Sequence, residues 1–121
     1  MSKKTLVIGA SPNPDRFSNK AIHNLVTHKH ETYAIGNREG IVAGVKIHKN
    51  HKNFEHIHTV SLYLNPHNQE KYIDYIISLK PKRRIIFNPG TENPGFEKLA
   101  LHNKIEVLND CTLVLLHNNK Y

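Results

Sequence analysis

The stretch Thr5-Leu6-Val7-Ile8-Gly9-Ala10-Ser11 joins a short apolar run to a turn of small residues. A run of about four to eight apolar residues that ends at a glycine is typical of a strand buried on both faces. The prolines and polar residues up to Asp15 predict a loop, after which Ser18 or Asn19 caps a helix over about residues 20–29. A buried strand, a turn and a helix in this order predict the first unit of an α/β protein.

The rest of the chain repeats this alternation. Further strands are predicted over residues 32–35, 57–64, 84–87 and 105–108. Helices are predicted to begin at Asn65-Pro66 and Asn93-Pro94, because asparagine caps a helix and proline suits its first turn. The stretch 37–56 has little periodicity apart from Val45-Lys46-Ile47, which fits a short strand. Residues 112–116 are apolar and either extend the sheet edge or fold back on it.

This pattern predicts a single domain over residues 1–121, since a domain averages about 150 residues. Strands that alternate with helices pair in parallel through right-handed crossovers. We therefore expect a doubly wound three-layer α/β sandwich with a five-stranded parallel sheet in the order 3-2-1-4-5.

Composition limits the class of protein. Hydrophobic residues make up 38% of the chain, which indicates a folded soluble protein. No window approaches the roughly 18 consecutive apolar residues of a membrane span, and the first apolar run is too short for a signal peptide. The single cysteine, Cys111, excludes an internal disulfide bond. A cytoplasmic location is expected.

The net charge of +7, from 17 Lys and Arg against 10 Asp and Glu, favours an anionic partner. The densest basic cluster, Lys80–Arg84, is expected to be a solvated helix-to-strand connection. Nucleic acid is not expected as a partner, because no recognised nucleic-acid-binding motif occurs. The histidines at 48, 51, 56 and 58 suggest a metal, but no cysteine or carboxylate set completes such a site, and no metal ligand is predicted.

The loop after the first strand carries the strongest functional signal. In doubly wound sheets, ligands bind beyond the carboxyl ends of the strands. Gly9 lets the backbone approach an anion, and N–H groups with the Ser11 hydroxyl can hold a pyrophosphate, with Arg16 supplying countercharge. The G-x-G-x-x-G fingerprint is incomplete because Ser11 and Pro14 stand at its later positions, so an ordinary turn is the alternative.

Two other loops narrow the ligand. The second strand leads into Ile35-Gly36-Asn37-Arg38, where folds that bind NAD usually carry an acidic residue. Arg38 suits a ribose phosphate instead, and NADP and coenzyme A (CoA) both carry one; a merely solvated arginine is the alternative. Across the switch point of the sheet, the small residues of Asn88-Pro89-Gly90 leave room for a ligand, although a plain turn explains them equally.

Several stretches together carry a family resemblance. They are Val7-Ile8-Gly9-Ala10-Ser11 followed by Pro14-Asp15-Arg16 and Ser18, Tyr33-Ala34-Ile35, Gly44-Val45-Lys46, Asn88-Pro89-Gly90-Thr91-Glu92-Asn93, and Asp110-Cys111-Thr112-Leu113-Val114. Over nearly its whole length the chain resembles the small single-domain CoA-binding proteins of bacteria, which are related to the CoA-binding domain of the succinyl-CoA synthetase α subunit. The resemblance implies a Rossmann-like fold and a bound CoA, with the Gly-Ala-Ser loop at the phosphates.

We therefore expect a protein that binds CoA or an acyl-CoA with no catalysis of its own, since no nucleophile and base can be paired from the sequence. Gly9, Ala10 and Ser11 are expected at the pyrophosphate, Arg38 at the 3′-phosphate, and Leu64 and Pro89 at the apolar pantetheine arm. The complete predicted site is Gly9, Ala10, Ser11, Arg16, Ser18, Asn19, Ile35, Gly36, Asn37, Arg38, Leu64, Asn88, Pro89 and Gly90.

Two alternatives stay open at this point. The first is an NADP-binding module or oxidoreductase-type domain, which would share the phosphate loop and Arg38. The second is an interaction protein that has lost its ligand, in which Pro12 or Phe17 would fill the adenine slot.

Overall fold

The sheet is built outward from its central strand, β1. The computed structural model describes residues 2–80 and 84–121. Its strands are β1 (Thr5–Ile8), β2 (Thr32–Ile35), β3 (Gly40–Val42), β4 (Val45–His48), β5 (Thr59–Leu62), β6 (Arg84–Phe87) and β7 (Glu106–Asn109). All four residues of β1 are buried, and β2 and β5 pair with it in parallel on either side. This double-sided burial explains why β1 is an uninterrupted apolar run.

The fold class is confirmed as α/β with a mostly parallel sheet, but the predicted strand number and order are wrong. The sheet has seven strands in the order β3-β4-β2-β1-β5-β6-β7, instead of five in the order 3-2-1-4-5. The difference comes from β3 and β4, an antiparallel hairpin that lies outside β2. Ala43 and Gly44 join the two strands with φ values of 51° and 80°, as a tight two-residue hairpin turn requires.

Helices cover both faces of the sheet. They are α1 (Phe17–Thr27), α2 (Pro66–Gln69), α3 (Ile73–Leu79), α4 (Pro94–His102) and α5 (Thr112–His117), with a 3-10 turn over Glu70–Tyr72 between α2 and α3. One core cluster joins the sheet to α3 and α4, and a second joins it to α1 and α5. The apolar stretch at 112–116 is thus helical, and it folds back against α1 rather than extending the sheet.

The predicted caps of two helices are confirmed. Asn65 accepts a hydrogen bond from the N–H of Asn68 at 2.9 Å, and Asn93 accepts one from the N–H of Phe96 at 3.2 Å. The first helix differs from its prediction, because it begins at Phe17 and contains Ser18 and Asn19 as buried residues. Its cap position is held by an extended Arg16, which makes no side-chain cap.

The histidine-rich segment between β4 and β5 is packed by aromatic contacts. The ring of His51 lies 4.7 Å from that of Tyr72 and 4.6 Å from that of Tyr75, and Phe54 packs on Tyr33 at 4.9 Å. Within residues 2–80 and 84–121, no group of three or more potential ligands could hold a metal ion. Nor does this part of the chain contain a helix long and apolar enough to cross a bilayer.

The amino edge of the sheet is closed by Tyr121. Its ring lies 4.4 Å from the guanidinium carbon of Arg84, and its hydroxyl is 2.6 Å from the Thr5 hydroxyl. Lys3 donates from its ammonium group to the Tyr121 carbonyl. Arg84 is 8% exposed, so the prediction of a solvated basic cluster is wrong for this residue; residues 81–83 of that cluster lie outside the described part.

Tyr121→Phe should lower the free energy of unfolding by about 1 kcal/mol, because it removes one buried hydrogen bond and keeps the ring over Arg84. For a domain of this size that corresponds to a melting temperature about 4 °C lower. Tyr121→Leu, which also removes the aromatic ring, should cost more. If Tyr121→Phe has the same melting temperature as the wild type in a calorimetric scan, the hydroxyl does not contribute to stability.

Stability should also depend on the protonation of His30. Burial, followed by the charge of Lys3, lowers the pKa of His30 below 6.5, and its Nδ1 accepts a 2.9 Å hydrogen bond from the Lys3 N–H. The folded state therefore binds this proton less tightly than the unfolded chain, and stability is lost as the pH falls below 6.5. His30→Asn retains an acceptor without the titration. In urea unfolding at about pH 8 and pH 5, the variant should lose less stability than the wild type.

Candidate functional site

A cavity of about 560 Å³ opens at the carboxyl edge of the sheet. Its walls are the turns that follow β1, β2, β5 and β6, because these parallel strands all end at this edge. The volume lies within the range of about 300–1,000 Å³ that is usual for small-molecule sites. The predicted site residues that line it are Gly9, Ala10, Ser11, Arg16, Ser18, Gly36, Asn37, Arg38, Leu64, Pro89 and Gly90.

The turn after β1 requires a glycine at position 9. Gly9 has a φ of 93°, in a region that side chains rarely adopt. A Cβ atom at this position would also lie 2.8 Å from the carbonyl carbon and oxygen of Tyr63. The backbone of the first turn is thereby packed directly against the backbone that leaves β5.

The carbonyl of Ile35 joins the first turn to the second. It accepts hydrogen bonds of 3.0 Å from the N–H groups of both Gly9 and Ala10. Next to it, a Cβ atom on Gly36 would lie 2.1 Å from the Ala10 carbonyl oxygen. Because this carbonyl occupies the N–H groups of Gly9 and Ala10, these two groups are not available to donate to a ligand.

Other donors remain at the same end of the cavity. The Ser11 hydroxyl oxygen accepts a 3.1 Å hydrogen bond from the Asn13 N–H, which leaves the hydroxyl proton free to donate. Helix α1 starts here without a side-chain cap. Among the described residues, nothing accepts a hydrogen bond from the N–H groups of Phe17 and Ser18. The positive end of the helix dipole thus faces the cavity, where it favours an anion.

Two arginines add positive charge to the rim. Arg16 and Arg38 both line the cavity and are exposed. In residues 2–80 and 84–121 the one ion pair is Lys4 with Glu31, at 3.8 Å, so no carboxylate neutralises either arginine. Their charge is available to an anionic ligand.

The mouth of the cavity is open. Phe17 is 67% exposed, and its ring lies 5.4 Å from the Lys20 ammonium group instead of filling the space between the loops. Pro12 lies in the wall, where a Cβ on Gly40 of β3 would be 3.1 Å from it. Both residues line the cavity, which keeps a volume of about 560 Å³ beside them.

Tyr63 lines the cavity, and its hydroxyl is buried. Burial raises the pKa of Tyr63 to about 12, with the nearby Thr112 and Ser61 hydroxyls opposing the shift. Those two hydroxyls bind each other at 2.8 Å, and within the described residues the Tyr63 hydroxyl has no hydrogen-bond partner. The phenol therefore stays protonated at neutral pH.

The far wall is the turn Asn88-Pro89-Gly90-Thr91. This is a type II turn, with proline at its second position and a glycine with a φ of 91° at its third. A 3.0 Å hydrogen bond from the Thr91 N–H to the Asn88 carbonyl closes it. Nothing lies within 4 Å of where a Gly90 Cβ would be, so this side of the turn is open.

Three predicted site residues lie behind the lining instead of in it. Ile35 is fully buried, and only its carbonyl acts on the first turn. Asn19 donates a 3.0 Å hydrogen bond to the Ser11 carbonyl and supports the loop from below. Asn88 is 2% exposed; its amide donates to the Ser61 hydroxyl and the Leu62 carbonyl and accepts from the Thr112 N–H. These side chains position the loops.

Sequence reasoning missed other lining residues. They are Pro12, Asn13, Phe17, Tyr63, Asn65, Asn68, Tyr72 and Thr91. Most adjoin predicted residues in the chain, so extending each predicted loop by two positions would have found them. Asn68 and Tyr72 have no such signal, because they reach the cavity only through the fold of α2 and the 3-10 turn.

A match to a protein-family model shows which family the chain belongs to. The model for a CoA binding domain matches residues 3–117. The chain belongs to this CoA-binding domain family. No curated protein sequence matches the chain.

Several solved structures share the fold of this chain. The crystal structure of an uncharacterized protein superposes with a TM-score of 0.96 at 43% identity, over 100% of this chain and 99% of that one. A hypothetical protein from Pyrococcus horikoshii OT3 has a TM-score of 0.85 at 25% identity, with 98% and 83% covered. A structure from Thermus thermophilus shares the fold, with a TM-score of 0.85 at 18% identity over 98% of this chain and 91% of that one.

The contact between the first two turns leads to a test of stability. Gly36→Ala should lower the free energy of unfolding by about 3 kcal/mol or more, because the new methyl group collides with the Ala10 carbonyl. Gly44→Ala is the matched control, since its φ is 80° but nothing lies within 4 Å. The control should lose only about 1 kcal/mol. Equal losses in urea unfolding would mean that the two turns do not touch as closely as described.

Proposed function

We propose that the chain binds CoA or an acyl-CoA in the carboxyl-edge cavity and performs no catalysis of its own. Membership of the CoA-binding domain family carries this proposal, and the cavity supplies what such a ligand needs. A pyrophosphate needs N–H and hydroxyl donors with countercharge, and a pantetheine arm needs an apolar wall with some polar groups. Both kinds of surface line this cavity.

The pyrophosphate is proposed to lie over the first turn and the start of α1. Gly9 and Ala10 bring the backbone close, while the hydrogen bonds come from the Ser11 hydroxyl and from the N–H groups of Phe17 and Ser18, which have no partner in the part of the chain that the structure describes. This assignment differs from a glycine-rich loop that offers its own N–H groups, because the Ile35 carbonyl occupies those of Gly9 and Ala10.

The nucleotide end is proposed to lie between the first and second turns. Gly36 and Asn37 would border the adenosine, and Arg38 would pair with the 3′-phosphate, as a guanidinium does with bidentate geometry. Arg16 would supply countercharge to the pyrophosphate. At the other end, the pantetheine arm would cross Leu64, Pro89 and Gly90, where the wall is apolar or open.

A thermal-shift titration tests this proposal against the alternatives. CoA, dephospho-CoA, NADP and NAD are compared at equal concentration. A ligand at a hundredfold excess over its dissociation constant stabilises the folded state by about 2.7 kcal/mol. We expect CoA to raise the melting temperature most and dephospho-CoA less. A shift with NADP alone would support the oxidoreductase-type reading, and no shift with any of them would overturn the proposal.

Arg38→Glu should weaken CoA binding by at least about tenfold, since a charge-assisted hydrogen bond contributes about 1.5–3 kcal/mol. Dephospho-CoA should lose less, so that the two ligands become nearly equal. Lys98→Glu, an exposed residue on α4, makes the same charge change away from the cavity and controls for the loss of overall positive charge. Calorimetric titration measures both. Unchanged CoA affinity in the double variant Ser11→Asp with Arg38→Glu would contradict the assigned phosphate sites.

A further inference from the structure

A buried glutamine links two neighbouring turns at the pantetheine end of the cavity. Gln69, the last residue of α2, is 0% exposed and lies behind the lining. Its Nε2 donates hydrogen bonds of 2.7 Å to the Leu64 carbonyl and 2.7 Å to the Thr91 carbonyl. Its Oε1 accepts a 2.9 Å hydrogen bond from the side chain of Asn93. Both amide protons and the amide oxygen are therefore in use.

The two carbonyls belong to neighbouring turns. Leu64 follows β5, and Thr91 ends the type II turn that follows β6, and both residues line the cavity. The β5 and β6 strands are hydrogen-bonded neighbours, but beyond their ends no ladder holds the chain. One amide group that binds both carbonyls sets the distance between these turns.

The nucleotide end is held by a separate set of contacts. There the Ile35 carbonyl binds the N–H groups of Gly9 and Ala10, and Asn19 supports Ser11. None of these contacts involves Gln69 or its partners. A change at Gln69 should therefore act on one end of the cavity only, because energetic effects of separated sites without shared partners are nearly independent.

We propose that Gln69 is a positioning residue that sets the spacing of the two neighbouring turns that carry Leu64 and Thr91, and thereby the affinity for the pantetheine arm. The inference rests on the proposed function, since it assigns a role within that CoA site. Gln69 acts through the two carbonyls and the turns that carry them, and it makes no contact with the ligand itself.

The chemistry of this contact makes Gln69→Glu a sensitive variant. The substitution keeps the size of the side chain and the acceptor for Asn93, but it replaces the donating nitrogen by an oxygen. As a carboxylate, that oxygen repels two carbonyl oxygens, and as a protonated carboxyl it can donate to only one of them, so at least one of the two turns loses its donor. A buried carbonyl that loses its donor carries a penalty of about 1–3 kcal/mol. If this penalty disfavours the arrangement of the turns that binds CoA, the affinity for CoA falls roughly tenfold or more.

The experiment compares two ligands by calorimetric titration. CoA carries the pantetheine arm, and adenosine 3′,5′-bisphosphate keeps the adenosine and its 3′-phosphate without that arm. In Gln69→Glu we expect CoA to bind at least about tenfold more weakly. We expect adenosine 3′,5′-bisphosphate to bind within about twofold of the wild type. Tyr121→Phe, which removes a buried hydrogen bond at the opposite edge of the sheet, controls for lost stability and should leave both affinities unchanged.

Asn93→Asp is a second variant with little risk to folding. The new carboxylate still accepts the hydrogen bond from the Phe96 N–H and so still caps α4. It has no N–H group, so it cannot donate to the Gln69 side chain as Asn93 does. The Gln69 amide then loses the partner that orients it. We again expect a selective loss of CoA affinity, but a smaller one than in Gln69→Glu. Asn93→Asp therefore tests the inference even if Gln69→Glu does not fold.

The outcomes separate this inference from the proposed function. If the wild type binds both ligands and the variants lose both equally, Gln69 has a general structural role and the inference fails while the CoA site stands. Unchanged CoA affinity in a folded variant also overturns it. If the wild type binds neither ligand, the proposed function fails and this inference fails with it.

Discussion

The hydrogen bonds from Gly9 and Ala10 to the Ile35 carbonyl are the contact on which the carboxyl edge of the sheet depends. One carbonyl at the end of β2 accepts two N–H groups from the turn after β1. The turns come so close that Gly36 has no room for a side chain against Ala10. Because β1 is the central strand, this junction determines where the start of α1 lies and so where its N–H groups point. The small residues serve backbone packing first, and access for a ligand follows from it.

The two edges of the sheet have different roles. The carboxyl edge is an open cavity with exposed arginines, while the amino edge is closed by Tyr121, which packs over Arg84 and binds Thr5. Buried hydrogen bonds and a cation–π contact at the closed edge stabilise the sheet at a distance from the cavity. Stability and ligand affinity are therefore separable by substitution, which makes a residue at the closed edge a useful control for one in the cavity.

The sequence predicted those parts of the fold that depend on local signals. The buried strand at Thr5–Ile8 and the asparagine caps at 65 and 93 follow from apolar runs and cap chemistry, and the structure confirms them. The short strand predicted at Val45-Lys46-Ile47 is confirmed as β4, but β3 and the hairpin that joins them were missed, because β3 is short and Ala43-Gly44 is a weak turn signal. The apolar residues 112–116 did not distinguish a helix from a strand, since a run of that length has no clear period. The prediction left open whether this stretch extends the sheet or folds back on it, and the structure has the second arrangement. The placement of both elements depends on packing against the rest of the protein.

The candidate site shows the same division between local and tertiary signals. The loops were predictable from the glycines and from Arg38, but the roles of Asn19, Asn88 and Gln69 were not, because a buried amide and an exposed one look alike in sequence. Each of these amides is neutral, and each binds loop carbonyls or N–H groups without placing a charge in the interior. If carboxylates held the loops instead of amides, they would neutralise the nearby arginines of the cavity rim. In the described part of the chain the single ion pair lies between Lys4 and Glu31, away from the cavity, so the positive charge of Arg16 and Arg38 is left for an anion.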